Sequence, residues 1–374
     1  MKLPKFTLPR FSLPSCRPGA LCGRFSVRGF VSFCRMIRIE HSIFALPYAW
    51  AGSVMAAGGM PPWDKLVLLT IAMVGVRSFA MGINRIFDLP FDRENPRTAN
   101  RHLVTGEISV RQAWIFSLVM AAIFVLACAA INTVCLILSV PALVFAAVYS
   151  LTKRFSAVCH FWLGATLGLA PLAGALAVNP EGLAMGPIML FFAVTFWVGA
   201  FDIYYSFQDY DFDVAFRLCS VPSVYGPDTA LAIAGFSHAV TSIFLFLTGI
   251  AAGLAWPWYV LWAGVSAILF WEHHLMRPQD LSRVNMVFFT LNGIISPLVL
   301  VGVNLALTTY RANMEASEAQ VLYSTLTTVI SDKLRYCGTV ETAEDGTITQ
   351  IFAQGIGTGS GEAFQLTEDG KVML

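Results

Sequence analysis

Nine apolar stretches separated by short polar connections dominate the chain, at about 41–60, 66–87, 110–131, 133–151, 157–178, 185–207, 228–252, 255–273 and 285–308. Each comes near the roughly 20 residues that a helix needs to cross a hydrocarbon core of about 30 Å. Several contain Gly or Pro, which membrane helices tolerate where neighbours satisfy the freed backbone groups. The pattern predicts an all-α fold, a polytopic membrane bundle of about nine transmembrane helices within 40–309, preceded by an arm at 1–39. Past residue 309 the pattern changes. Residues 313–336 read as a polar helix, and 337–374 hold short β-like runs such as Thr347–Phe352 between Gly-rich turns, GIGTGSG at 355–361 among them. This predicts a small soluble appendage over 310–374.

Composition supports the bilayer reading: 56% of the 374 residues are apolar, 13% are charged, and the mean hydropathy is +0.67, far too apolar for a soluble domain of this length. The formal net charge of +1 hides a split, since residues 1–309 carry 20 Lys and Arg against 14 acids and residues 310–374 carry 4 against 9. Basic residues gather in alternate connections: the N-terminal arm, 88–109, 152–156, 208–227 and 274–284. The intervening connections hold only Lys65. The positive-inside rule then places the N-terminus in the cytoplasm and, with an odd helix count, the C-terminal segment across the membrane. The arm lacks the apolar core of a secretory signal, and its repeated prolines oppose an amphipathic transit helix, so it reads as a basic arm against anionic lipid. The eight scattered cysteines form no CxxC pair, and neither disulfides nor a zinc site is expected. No nucleic-acid partner is expected.

Half of the 14 acids before residue 310 fall in two segments, 88–94 and 202–213, at the cytoplasmic ends of the second and sixth stretches. Ionisable groups at membrane depth are costly and usually functional. In the first segment, spacings of four set Asn84, Asp88 and Asp92 on one face if Pro90 only bends the helix. In the second, steps of three, four and four bring Asp202, Tyr205, Asp209 and Asp213 to one stripe. Hard oxygen ligands on two facing helix ends suit Mg²⁺, which binds through one or two carboxylates plus substrate phosphates. Acids alone would repel a diphosphate, so the metal is required by charge. Arg97, Arg101, Lys153 and Arg154 lie in the same loops and are matched to phosphate oxygens.

Over residues 35–308 these motifs resemble the UbiA superfamily of intramembrane aromatic prenyltransferases, whose pattern has NxxxDxxxD after the second of nine helices and DxxYxxxDxxxD after the sixth. RTANR at 97–101 is also like the family. EHSIFALPYAW at 40–50, YSLTKRFSAVCH at 149–160 and FFTLNG at 288–293 look like the branch that prenylates 4-hydroxybenzoate or related aromatic acids for respiratory quinones. The resemblance implies Mg²⁺-dependent transfer of a polyprenyl group from a polyprenyl diphosphate to an aromatic ring, at the cytoplasmic face of a bacterial inner membrane. It implies that Asn84, Asp88 and Asp92 hold one Mg²⁺ and Asp209 and Asp213 the other, with Asp202 also in the candidate metal set. Asp88, Asp92, Asp209 and Asp213 would then be catalytic, with Tyr149, Lys153, Arg97, Arg101 and Tyr205 binding substrate. One departure follows the last motif acid, in DVAFRLCSVP: Ala215 stands where relatives have a basic residue and Arg217 where they have glycine.

In the mechanism so implied, the diphosphate leaves with metal assistance, the allylic cation adds to an electron-rich ring carbon, and a ring proton is lost. Faces of Phe87, Phe91, Tyr204, Tyr205 and Phe207 are candidates to stabilise the cation. Two other readings stand beside it: a cation-coupled secondary transporter, against which the acids sit at helix ends rather than at the midplane, and a catalytically impaired membrane anchor for residues 310–374. The order of membrane helix, polar helix and strands in that last segment is similar to a pilin-type sequence, or marks a fusion.

Overall fold

The computed structural model describes residues 27–37, 45–277, 283–284, 286–335, 337–342, 348–353, 365–366 and 372–373. Most of the N-terminal arm, the loop at 278–282 and the glycine-rich run at 355–361 lie outside the described residues. A short helix α1 (Val27–Met36) precedes the bundle. The bundle consists of α2 (Leu46–Ala57), α3 (Trp63–Asp92), α4 (Val110–Ile131), α5 (Thr133–Thr152), α6 (Cys159–Val178), α7 (Met185–Ser206), α10 (Pro227–Ala251), α11 (Trp256–Leu275) and α12 (Asn292–Arg335), with short α8 (Tyr210–Ala215) and α9 (Val221–Tyr225) after α7.

Among the described residues seven helices are long and apolar enough to cross a membrane: α3, α4, α5, α6, α7 with its extension to Ala215, α10 and α12. The chain is a multi-pass integral membrane protein, and two of the nine expected spans fall short of that test. Helix α2 is described only from Leu46 and has 12 residues. Helix α11 has 20, but Trp256, Pro257, Trp258 and Tyr259 at one end and Glu272, His273 and His274 at the other dilute its apolar content. Both still pack into the bundle, α2 against α6 and α12, α11 against α10 and α12.

Small residues allow the closest approaches, as expected where lipid supplies no drive to bury apolar surface. A Cβ on Gly52 would collide with the Pro171 backbone, and one on Gly174 with the carbonyl of Ala49, so α2 and α6 touch backbone to backbone. In the centre of the core, Trp197 of α7 is buried against Tyr48 and donates its indole N–H to Asn292 Oδ1 at 2.6 Å. Asn292 in turn donates to the carbonyl of Val287, in the π-helical turn Met286–Leu291 that leads into α12. The polar pair fastens the last helix to α7.

The polar helix expected over 313–336 is the continuation of α12, which runs 44 residues without a break. Residues 311–331 are exposed along its whole length. After it, β1 (Cys337–Thr342) pairs antiparallel with β2 (Ile348–Ala353), with Val340 opposite Ile351, and a two-residue ladder joins Gln365–Leu366 to Val372–Met373.

Candidate active site

Helix α3 stays helical through Pro90 to Asp92, so Asn84, Asp88 and Asp92 do share a face. In the turn that Pro90 loosens, Arg154 donates to the Phe87 carbonyl at 2.6 Å and lies over the Phe91 ring at 5.3 Å. The second motif is less regular than its spacing implies. Helix α7 ends at Ser206, a 3₁₀ turn spans Phe207–Asp209, and α8 carries Asp213. That tightened turn sends Asp209 and Asp213 towards the first motif and leaves Asp202 behind on α7. The two motifs border a cavity of about 510 Å³, which Asn84, Asp88, Asp92, Asp202, Tyr205 and Asp209 help to line, and an adjoining pocket of about 90 Å³ reaches Asp213.

The chain supplies a partner to each of these acids. Asn84 donates to Asp88 Oδ2 at 2.7 Å. Arg101 Nη1 stands 2.5 Å from both oxygens of Asp92. Arg97 forks onto Asp209, its Nε 2.8 Å from Oδ1 and its Nη2 on Oδ2, while Asn95 donates to the same Oδ1 at 2.9 Å. The same guanidinium donates to the Tyr205 hydroxyl at 3.2 Å and lies over its ring. Lys153 Nζ is 2.8 Å from Asp213, which is fully buried. Burial pulls the Lys153 pKa down, but the Asp213 carboxylate outweighs it, so the net direction is up and the ammonium stays charged. Tyr149 lines the main cavity one turn from Lys153.

Asp202 is placed apart from this set. Its carboxylate receives the ring of His160 at 2.6 Å and not one of the basic residues of the loops, because it sits about two turns up α7 from Asp209. Of the expected cation stabilisers, Tyr205 faces the cavity, whereas Tyr204 turns the other way to bond His273 at 2.9 Å. Among the described residues no three acids, histidines or cysteines converge on one point. This donor set fits an ion that takes one or two carboxylates per metal and completes its shell with water and phosphate oxygens. Sequence reasoning missed Asn95, His160 and the cavity-lining Arg77 and Arg85. The last two interrupt an apolar run on the face of α3 that carries Asn84 and Asp88, a signal that periodicity could have exposed.

Arg217 has φ 54°, in the left-handed region. The backbone thus takes the conformation that favours glycine while carrying an arginine there.

The membrane bundle thus carries two facing carboxylate motifs, each paired with basic residues beside one cavity. Residues 45–294 match the model of the UbiA prenyltransferase family, and the chain belongs to that family: it is a polyprenyltransferase. It is 29% identical over 267 residues to the 4-hydroxybenzoate octaprenyltransferase of Aromatoleum aromaticum, covering 70% of this chain and 90% of that one. It is 32% identical over 241 residues to the enzyme of the same name from an Enterobacter species, covering 63% and 82%. Among solved structures, a UbiA homologue from Aeropyrum pernix K1 superposes with a TM-score of 0.66 at 34% identity, covering 72% of this chain and 98% of that one. A homologue from Archaeoglobus fulgidus, solved with DMAPP and Mg²⁺, gives 0.59 at 25% identity and covers 74% and 99%.

Proposed function

We propose that this chain transfers a polyprenyl group from a polyprenyl diphosphate to the ring of an aromatic acid such as 4-hydroxybenzoate, with Mg²⁺, for respiratory quinone synthesis. The observation that carries the reading is the pairing of Asp88, Asp92, Asp209 and Asp213 around one cavity and the pocket that adjoins it. Asp88, Asp92, Asp209 and Asp213 bring four negative charges, and Arg97, Arg101 and Lys153 return three. A diphosphate ester adds about three more negative charges, and two divalent ions beside these seven residues would offset the excess. Asn84, Asp88 and Asp92 would hold one ion, and Asp209 and Asp213 the other. Those residues would hold Mg²⁺ where it could offset charge on a departing diphosphate. Arg97, Arg101 and Lys153, which pair with the carboxylates in this structure, would then be free to take phosphate oxygens, with Tyr149 and Tyr205 beside them.

Arg35, Arg77 and Arg85 also line the cavity, and we read them as the cations that take the carboxylate of an aromatic acid. The apolar remainder of the cavity excludes water from the allylic cation. The distribution of Lys and Arg supports a site on the cytoplasmic side of a bacterial inner membrane. We read residues 40–309 as the enzyme and residues 1–39 and 310–374 as additions to it. Membranes supplied with labelled polyprenyl diphosphate, Mg²⁺ and a panel of aromatic acids, with products identified by mass, test the whole reading. Product from no acid in the panel, or equal product after Mg²⁺ is chelated, overturns it.

A further inference from the structure

None of the steps above uses His160. It lies at the start of α6, only 2% exposed, with Nδ1 2.6 Å from Asp202 Oδ2 and Nε2 3.2 Å from the backbone nitrogen of Val221. A backbone N–H can only donate, so Nε2 carries the lone pair and Nδ1 carries the proton that Asp202 receives. The imidazole is thereby neutral: it fixes the direction of the Asp202 carboxylate without cancelling its charge. Asp92, Asp209 and Asp213 are held instead by guanidinium or ammonium groups. The Asp202 side chain is 25% exposed into the cavity while that of His160 behind it is 3% exposed. Seven residues separate Asp202 from Asp209, about 10 Å along a helix, which sets this acceptor beyond the diphosphate acids.

We infer that Asp202 accepts a hydrogen bond from the hydroxyl of a phenolic acceptor, and that His160 is the positioning residue that aims it. This rests on the proposed aromatic prenyl transfer. A hydroxylated aromatic acid presents two polar ends, an anion that seeks the cavity arginines and an O–H that seeks an anionic acceptor. Bonds from neutral hydroxyls to carboxylates are short and strong. Drawing on that hydrogen raises electron density on the ring carbons beside the oxygen, the carbons that an allylic cation attacks. The Val221 amide that fixes the tautomer begins α9, two residues past Cys219, whose N–H bonds the Lys153 carbonyl at 2.7 Å. His160 therefore also ties the acceptor side to the loop that holds Lys153.

The test uses the full-length purified protein with Mg²⁺ and polyprenyl diphosphate, and compares His160→Leu, His160→Gln and Asp202→Asn. We expect His160→Leu and Asp202→Asn to raise KM for 4-hydroxybenzoate about tenfold or more, as loss of a charged hydrogen-bond partner does. KM for the polyprenyl diphosphate and the inhibition constant of benzoate, which lacks the hydroxyl, stay within about twofold. His160→Gln, whose amide can donate to Asp202 and accept from Val221, keeps KM within about threefold. Unchanged acceptor KM in His160→Leu, an equal rise in both substrates' KM, or a raised Mg²⁺ requirement in Asp202→Asn overturns the assignment alone. A wild-type protein that prenylates no acceptor overturns the proposed function as well.

Discussion

Two groups of ionisable residues are buried in this bundle, and they are built on opposite principles. At the ends of α3 and α7, four carboxylates border a cavity and each has a donor from the chain within hydrogen-bond reach. Between α10 and α11, Glu272 and His238 are 0% and 4% exposed, stand 3.7 Å apart, and border neither of the two described pockets. The first group can exchange its partners for a ligand, because Arg97, Arg101 and Lys153 reach it from the connection after α3 and the end of α5 and line the same cavity. The second is closed in by helix packing and can act only on stability. Burial alone thus does not mark a site; burial beside a cavity that the counterions also line does.

The largest effect expected from this contrast is on turnover. Asp88→Ala and Asp209→Ala should each lower kcat by about a hundredfold or more, measured as labelled prenyl transfer. Their melting temperatures should stay close to wild type, since Arg97 and Asn84 remain partly open to solvent. Turnover near wild type in both would end the two-metal assignment. Asp213 breaks the symmetry among the acids: it is fully buried against Lys153, so Asp213→Ala should lower both activity and melting temperature.

The opposite signature belongs to Glu272. Glu272→Ala removes a fully buried side chain and leaves His238 without its neighbour, a loss of about 3 kcal/mol. Thermal unfolding in detergent should show a clear drop, while KM for both substrates in the surviving protein stays unchanged. A change in either KM would bring this pair into the catalytic machinery.

This contrast also separates what was legible in the sequence from what was not. Spacings of four along α3 displayed Asn84, Asp88 and Asp92 as one face because that helix is regular, and the structure keeps it so. The same arithmetic holds in part over 202–213: Asp202, Tyr205 and Asp209 line one cavity, but a 3₁₀ turn at Phe207–Asp209 breaks the helix before Asp213. Partners 40 to 115 residues away, such as His160 for Asp202 or Asn95 for Asp209, follow from helix packing, which no local pattern records. Hydropathy found the bundle but could not judge α11, whose aromatic start and His-rich end fit an interface as well as a core.

A smaller effect is expected where the chain departs from its relatives. Arg217 occupies the left-handed region at φ 54° and its side chain is exposed. Arg217→Gly should therefore stabilise the protein by up to about 1 kcal/mol by removing backbone strain. Turnover within about twofold of wild type would place this arginine outside the chemistry. A loss of polyprenyl diphosphate affinity would instead give the arginine the phosphate contact that Ala215 lacks.

The smallest effect should come from the segment after the bundle. Arg311 lies against Gly59 beside the end of α2, but residues 311–331 of α12 are exposed throughout and border neither pocket. An exposed helical extension with no packed face contributes little to the stability of the part it extends. Under the proposed nine-span topology it would also lie across the membrane from the carboxylates. A chain ending after Ala312 keeps the Arg311 contact and removes the exposed turns and the strands that follow. It should insert normally and transfer prenyl groups within about threefold of the full-length protein, assayed in matched membranes. If it inserts and binds polyprenyl diphosphate with Mg²⁺ yet transfers nothing, the extension acts on the site from a distance, and the division into an enzyme and an addition fails.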